Sequence, residues 1–277
     1  MPTLNAILNQ LNQPPVQFPV CVHYNFEVGS EILIMKDLRL KGFRMVDKKK
    51  GMDFDHSIIL IKELARLHAS SVIHRYALKE QNKTILEKYP FLENKWLDHG
   101  STAFKLFESA LNSGVTISLA IIRRLDEYKE QALWLETHKT QLMDIYLQLI
   151  KSSPENMRVI NHGDCWNNNV VFKYDDRGHP IEVTLLDLQV CRFGSIGLDF
   201  NYLLYTSLTK DVRNKYFEHF ISEYYSEFEN VIKSSKNNMS FTRAELEKEI
   251  LDRTLFGILS GIMTLPFIEG GKCSRFE

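Results

Sequence analysis

Two strand-forming segments joined by a short polar turn constrain the fold of this chain more than any other feature. Residues 170–174 (VVFKY) and 181–186 (IEVTLL) are rich in β-branched and aromatic side chains, whereas residues 175–180 (DDRGHP) are mostly turn formers. The pattern predicts an antiparallel hairpin. If the strands pair symmetrically about the turn, Tyr174 lies near Ile181.

The polar residues before this hairpin indicate chemistry at its open end. Residues 161–169 (NHGDCWNNN) place a carboxylate and several amides directly before a strand. Symmetric pairing brings Asp187 back to the loop that carries Asp164 and Asn169. Mg²⁺ prefers oxygen ligands and keeps several waters, so Asn169 and Asp187, together with substrate phosphates, can complete its coordination. Asp164 is then left to accept a proton from an attacking hydroxyl, and phosphoryl transfer needs little more.

Helical periodicity dominates the rest of the chain. Apolar residues recur at helical spacing between Ile58 and Val72, and Asp53 or Asp55 is placed to cap the start of this helix. His68 lies on the apolar face, which favours a core histidine over a ligand. Further helices are predicted over residues 101–112, 117–150, 210–233 and 243–264.

The N-terminal part combines a short helical pattern with strands. Leu4, Ile7, Leu8 and Leu11 fall on one helical face before the prolines at 14–15, which is typical of the end of a helix. Residues 18–26 and 31–35 predict two strands around a turn at 28–30. A polar linker follows from Lys36. The predicted fold class is therefore α+β, with two short strands, a linker and a large helical body that contains a second strand pair.

Composition excludes several classes of partner and site. The net charge is −1, so the sequence predicts neither nucleic acid nor an anionic membrane surface as a partner. Cys21, Cys165, Cys191 and Cys273 lack CxxC spacing, which argues against a zinc site or a disulfide scaffold. Free thiols, and the lack of a secretion signal or a long apolar run, predict a cytoplasmic protein.

Several motifs resemble one family. HGD followed by four residues and Asn, then strand, turn, strand and LLDLQ, resembles the protein-kinase-like phosphotransferases of small molecules, such as choline kinases and aminoglycoside phosphotransferases. More narrowly, residues 159–204, with W-x-N-N after HGD and D-x-Q after the hairpin, resemble the insect ecdysteroid kinase-like family. Residues 18–26, 31–47 and 61–71 resemble further segments of that family.

The resemblance implies roles for individual residues. Asp164 would be the catalytic base, and Asn169 and Asp187 would hold magnesium beside ATP. His162 and Asp199 would have structural roles around the loop. The acceptor would be a hydroxyl of a small molecule, and the family name suggests a hydroxylated steroid.

The resemblance also implies a protein-kinase-like fold of two lobes. Residues 1–38 would be a remnant of the N-terminal lobe, and residues 39–277 would form a helical C-terminal lobe. The adenine of ATP would hydrogen-bond to the backbone of the strand linking the lobes, at Met35, Lys36, Asp37 and Leu38.

The phosphate-binding parts of that family are not found in this sequence. The glycine-rich loop, the strand lysine and its partner glutamate would precede residue 1, and residues 270–274 (GGKCS) lack the spacing of a P-loop. The sequence therefore predicts an incomplete member, truncated at its N-terminus, with an incomplete N-terminal lobe.

Two other functions remain as alternatives. A catalytically impaired pseudokinase or fragment, acting as a binding module, fits the missing phosphate clamp, although Asp164, Asn169 and Asp187 argue for catalysis. A metal-dependent hydrolase with Asp164 and Asp187 as paired carboxylates would need further ligands, and the neighbouring sequence offers only His162. The identity of the acceptor and the oligomeric state do not follow from the sequence.

Overall fold

The computed structural model describes residues 1–47 and 49–268. Lys48 and the 270–274 segment, which includes Cys273, lie outside the described residues. The described part is mainly helical and contains three two-stranded antiparallel sheets, which confirms the predicted α+β class. The strands are β1 Cys21–Asn25, β2 Ile32–Met35, β3 Arg158–Asn161, β4 Val170–Tyr174, β5 Pro180–Leu185 and β6 Arg192–Ser195.

Ten α-helices run through the described residues, joined in places by short 3-10 turns. None of those helices combines the length and apolar character needed to cross a membrane. They are α1 Pro2–Gln10, α2 Phe54–Glu80, α3 Ile85–Lys88, α4 Thr102–Ile122, α5 Lys129–His138, α6 Leu142–Lys151, α7 Ile196–Thr206, α8 Lys210–Ser234, α9 Arg243–Asp252 and α10 Thr254–Ile268.

The chain divides into two compact units. The first comprises Met1–Ala77, Asp164–Val190 and Ser207–Met239, and the second comprises Leu78–Gly163, Cys191–Thr206 and the described residues from Ser240 onward. All the residues predicted to act in catalysis, metal binding or adenine binding belong to the first unit.

Helix α2 contributes residues 54–77 to the first unit. It begins directly after Asp53, whose side chain accepts a hydrogen bond from the His56 backbone at 3.1 Å, so Asp53 is the capping residue and not Asp55. Farther along, His68 is fully buried and hydrogen-bonds to the hydroxyl of Tyr224 in α8 at 2.6 Å. The predicted core role of His68 is confirmed.

The segment after α1 connects that helix to the hairpin strand β5. The Asn5 side chain donates a hydrogen bond to the Val16 carbonyl and accepts one from the Val16 amide, both at 2.9 Å. The Gln17 backbone then donates to Glu63 at 2.5 Å and accepts from Leu185 at 3.0 Å. Gln17 therefore links α2 to the last residue of β5, a role that no sequence pattern indicated.

Both predicted strand pairs are present in the first unit. β1 and β2 pair with Cys21 opposite Met35, and both strands leave their apolar side chains largely exposed. In the hairpin, Val170 lies opposite Leu185. Tyr174 lies opposite Pro180 and not Ile181, because the register shifts immediately before Tyr174.

The second unit differs from the sequence prediction in three places. Strand β6 was missed; it pairs with β3, with Arg158 opposite Ser195. The single helix predicted over 117–150 was wrong, because α4 ends in tight turns at Ile122 and Leu125 is extended, so that α5 and α6 form separately. Similarly, α9 and α10 are separate helices divided at Arg253.

Helix α10 packs at backbone distance against two other helices of the second unit. A Cβ atom on Gly114 of α4 would lie 1.9 Å from the carbonyl oxygen of Ile262. On another side of α10, a Cβ atom on Gly257 would lie 2.8 Å from the carbonyl oxygen of Asn201 in α7. Only glycine permits approaches this close.

Candidate active site

A buried carboxylate fixes the chain just before the predicted catalytic loop. Asp199 is fully buried in α7 and accepts hydrogen bonds from the backbone of His162 at 2.6 Å and of Gly163 at 2.8 Å. Arg192 donates to the Gly163 carbonyl at 3.4 Å. All four residues lie in the second unit. The anchoring role predicted for Asp199 is confirmed.

In the first unit, Asp164 and Asn169 are in direct contact. The Asn169 side-chain nitrogen donates to the Asp164 carboxylate at 2.7 Å and to the Asp164 carbonyl at 3.0 Å. Asn169 is almost fully buried, whereas Asp164 is half-buried. Because its nitrogen faces Asp164, the amide oxygen of Asn169 is directed elsewhere and is suited to a cation.

Backbone hydrogen bonds shape the loop between these two residues. The Trp166 backbone donates to the Asp164 carbonyl at 3.1 Å, and the Asn169 backbone donates to the Trp166 carbonyl at 2.9 Å. A short 3-10 turn at Asn167–Asn169 follows. The loop therefore folds back on itself and brings Asn169 against Asp164.

The hairpin returns the chain to the same loop. The Leu186 backbone donates to the Asn169 carbonyl at 2.8 Å, which places the next residue, Asp187, just past the open end of the hairpin. Asp187 is exposed and has a left-handed backbone with φ 59°. Its carboxylate accepts hydrogen bonds from the backbone of Gln189 at 3.4 Å and from the Gln189 side chain at 3.1 Å.

The available oxygen atoms suit a magnesium ion that keeps other ligands. No group of three or more His, Cys, Asp or Glu side chains in residues 1–47 and 49–268 is arranged to hold a metal. Asn169 and Asp187 instead offer one amide oxygen and one carboxylate. Mg²⁺ in phosphate-transferring sites is commonly bound by one or two such groups, with phosphates and water completing the shell. This donor set fits that mode.

The predicted adenine-binding backbone is partly engaged within the protein. The Lys36 amide donates to the Val20 carbonyl at 2.9 Å, and the Leu38 carbonyl accepts from Phe43 at 3.2 Å. Asp37 caps a short 3-10 turn, and hydrogen bonds from Arg39 hold the pKa of its carboxyl below the usual value. The Lys36 amide is therefore committed to Val20 and is not a donor for adenine in this structure.

Sequence reasoning missed one residue at the site in the first unit and one residue in the second unit. Gln189 holds the carboxylate of Asp187, and its only signal was the D-x-Q spacing. Arg192 is almost fully buried and contacts the carbonyl of Gly163 in the second unit. The sequence RFGS at residues 192–195 gave no sign that its arginine is buried.

Two solved structures resemble this chain at low similarity. Ethanolamine kinase from Plasmodium vivax is 14% identical, with a TM-score of 0.42 over 97% of this chain and 73% of that one. Spectinomycin phosphotransferase, crystallised with AMP, is 12% identical, with a TM-score of 0.39 over 95% of this chain and 83% of that one.

The family assignment comes from the sequence itself. No curated protein matches the chain. A model of the ecdysteroid kinase-like family matches residues 1–237, which include the predicted base, both predicted metal ligands and the D-x-Q segment. The resemblance drawn from the motifs is thereby confirmed, and the chain belongs to the ecdysteroid kinase-like family.

Proposed function

We propose that this protein transfers phosphate from ATP, with magnesium, to a hydroxyl group of a small molecule. The observation that carries the proposal is the position of Asn169. Its side chain contacts the carboxylate of Asp164, and its backbone carbonyl binds Leu186, the residue before Asp187. One residue thus connects the proposed base to the strand end that carries the second proposed metal ligand.

The chemistry assigned to each residue follows from its surroundings. Asp164 would accept the proton of the attacking hydroxyl, and its hydrogen bond from Asn169 holds the carboxylate in one orientation. The amide oxygen of Asn169 and the carboxylate of Asp187 would bind magnesium. When bound, the ion neutralises charge on the phosphates. Asp164 is half-buried, as a base that meets a small acceptor would need to be.

The proposed acceptor is a small hydroxylated molecule. The family name suggests a hydroxylated steroid, so a panel of such steroids is the first set to assay. The free thiols support a cytoplasmic setting. A metal-dependent hydrolase is less well supported, since the described residues contain no cluster of three or more His, Cys, Asp or Glu side chains able to hold a metal.

Calorimetric titration with ATP, with and without magnesium, tests the proposal when combined with a phosphate-transfer assay. We expect magnesium-dependent binding that is lost in Asp187→Ala. In Asp164→Asn, binding should persist while transfer falls by about 10²–10⁴-fold, the usual contribution of a general base. Nucleotide binding without transfer to any acceptor would indicate a pseudokinase. Absence of nucleotide binding at any magnesium concentration would refute the proposal.

A further inference from the structure

Helix α2 holds the catalytic hairpin through a chain of three polar side chains. The two ring nitrogens of His56 contact different partners: Nδ1 lies 2.6 Å from the Asp53 carboxylate, and Nε2 lies 2.9 Å from the Tyr174 hydroxyl. The His56 side chain is only 14% exposed. Its ring also meets the ring of Phe172 in β4 edge-on, at 4.8 Å. We call Asp53, His56 and Tyr174 the hairpin clamp.

The surroundings of the clamp define which atom donates each proton. A hydrogen on Nδ1 would be accepted by the Asp53 carboxylate, and in that tautomer Nε2 would accept from the Tyr174 hydroxyl. Burial raises the pKa of Tyr174, against the opposing effect of Arg44. The hydroxyl therefore stays protonated at neutral pH and can donate to His56.

The clamp contacts the hairpin where its strand is irregular. The register shifts between Lys173 and Tyr174, so that Tyr174 lies opposite Pro180. Such a bulge turns a side chain away from the direction that regular pairing would give it. The irregular residue of this hairpin is thus the residue that contacts His56.

Two further contacts connect the end of β4 near the turn to Arg44 in the linker. Arg44 and Phe172 exchange two backbone hydrogen bonds of 2.9 Å. The guanidinium group of Arg44 lies 4.1 Å from the centre of the Tyr174 ring. Tyr174 is therefore held between Arg44 of the linker and His56 of α2.

The same helix contacts the open end of the hairpin through a second route. Glu63 accepts from the Gln17 backbone at 2.5 Å, and the Gln17 carbonyl accepts from Leu185 at 3.0 Å. Glu63 follows His56 by seven residues, two helical turns, so both side chains lie on one face of α2 about 10 Å apart. The helix therefore holds the hairpin at both ends.

We infer that the hairpin clamp positions Asn169 and Asp187 for the metal, with His56 and Tyr174 as positioning residues. The inference rests on the proposed function. β4 begins directly after Asn169, and β5 ends two residues before Asp187, so rotation of the hairpin about its base moves both residues. The clamp at the tip and the Glu63 contact at the base together set that angle.

Tyr174→Phe tests the clamp, because it removes one hydroxyl and keeps the ring beneath Arg44. We expect the magnesium concentration for half-maximal ATP binding to rise about five-fold, as for the loss of one hydrogen bond, with unchanged binding at saturating magnesium. His56→Gln keeps an amide that can bond to the Tyr174 hydroxyl and should show a smaller rise. The matched control is Tyr216→Phe, whose ring packs on Phe54 of α2 at 4.5 Å.

Amide hydrogen exchange without nucleotide supplies a readout independent of activity. Tyr174→Phe should speed exchange of the Leu185 and Leu186 amides, which close the open end of the hairpin, whereas Tyr216→Phe should not. If the wild-type protein binds no nucleotide, the proposed function fails, and unchanged exchange in Tyr174→Phe would by itself overturn the clamp. If the wild-type protein binds, an unchanged magnesium dependence in Tyr174→Phe would equally overturn it.

Discussion

The side-chain nitrogen of Asn169 lies 2.7 Å from a carboxylate oxygen of Asp164. The proposed metal ligand thus also orients the proposed base. Substitution at Asn169 should therefore disturb two steps, whereas substitution at Asp187 should disturb metal binding alone.

Asn169→Ala removes both interactions of this side chain. We expect magnesium to bind more weakly, so that half-maximal ATP binding needs a higher magnesium concentration. We also expect kcat at saturating magnesium to fall by about 10²-fold, since the base loses its orientation. Steady-state kinetics across a magnesium series measures both effects. Asn168→Ala, at the neighbouring half-buried position, is the control. Recovery of full kcat in Asn169→Ala at high magnesium would show that Asn169 does not orient Asp164.

Because Asp187 has a left-handed backbone, replacing it by glycine should change stability and metal binding in opposite directions. Asp187→Gly should raise the free energy of unfolding by about 0.5–1 kcal/mol, because glycine adopts positive φ without strain. It should also abolish magnesium-dependent ATP binding. Urea unfolding and calorimetry measure the two effects. Lys236→Gly, at a second positive φ of 59°, should be stabilising and leave binding intact. A loss of stability in Asp187→Gly would contradict the prediction.

Asp199→Ala should destabilise the protein strongly. The change leaves the buried backbone amides of His162 and Gly163 without the carboxylate that accepts from them. Each such loss costs about 1–3 kcal/mol, so a decrease of about 2–6 kcal/mol in the free energy of unfolding is expected. Urea denaturation measures it, with Asp176→Ala in the exposed hairpin turn as the control. A change below about 1 kcal/mol would exclude the anchoring role.

The stability of the protein should depend on pH through Glu63. Burial raises the pKa of this carboxyl above 4.5, although Arg66 and the Gln17 backbone act against the rise. A raised folded-state pKa adds stability below the unfolded value, and this contribution is lost as the pH rises through the folded value. Glu63→Gln lacks the titration. The advantage of the wild-type protein over Glu63→Gln should therefore shrink as the pH rises above the unfolded-state value of 4.5, as measured by urea unfolding. Parallel stability profiles would contradict this.

Local sequence signals predicted the helices and strands whose formation depends mainly on residues close to one another in the sequence. The helix predicted over 210–233 is α8 at 210–234, and the hairpin forms as its turn residues indicated. Strand β6 gave no such signal, because its RFGS sequence is a strand only through pairing with distant β3. Periodicity also carried the prediction of one helix across Leu125, where the backbone is extended.

The candidate site shows the same division. The return of Asp187 toward Asn169 follows from hairpin pairing, which the local pattern contains. The positive φ of Asp187 and the contact between Asn169 and Asp164 depend on the detailed path of two loops. The His56 contact with Tyr174 joins residues 118 positions apart, and single-sequence periodicity carries no information at that range.

The glycine contacts of α10 bear on how shortened forms of the protein should be designed. The family match ends at residue 237, whereas Gly257 of α10 lies against α7, and α4 meets α10 at Gly114. A protein trimmed to the matched residues would lack α10, which packs at backbone distance against both α4 and α7. The apolar faces exposed in this way would favour aggregation. Helix α7 would also lose packing around Asp199, whose carboxylate accepts from the backbone of His162 and Gly163.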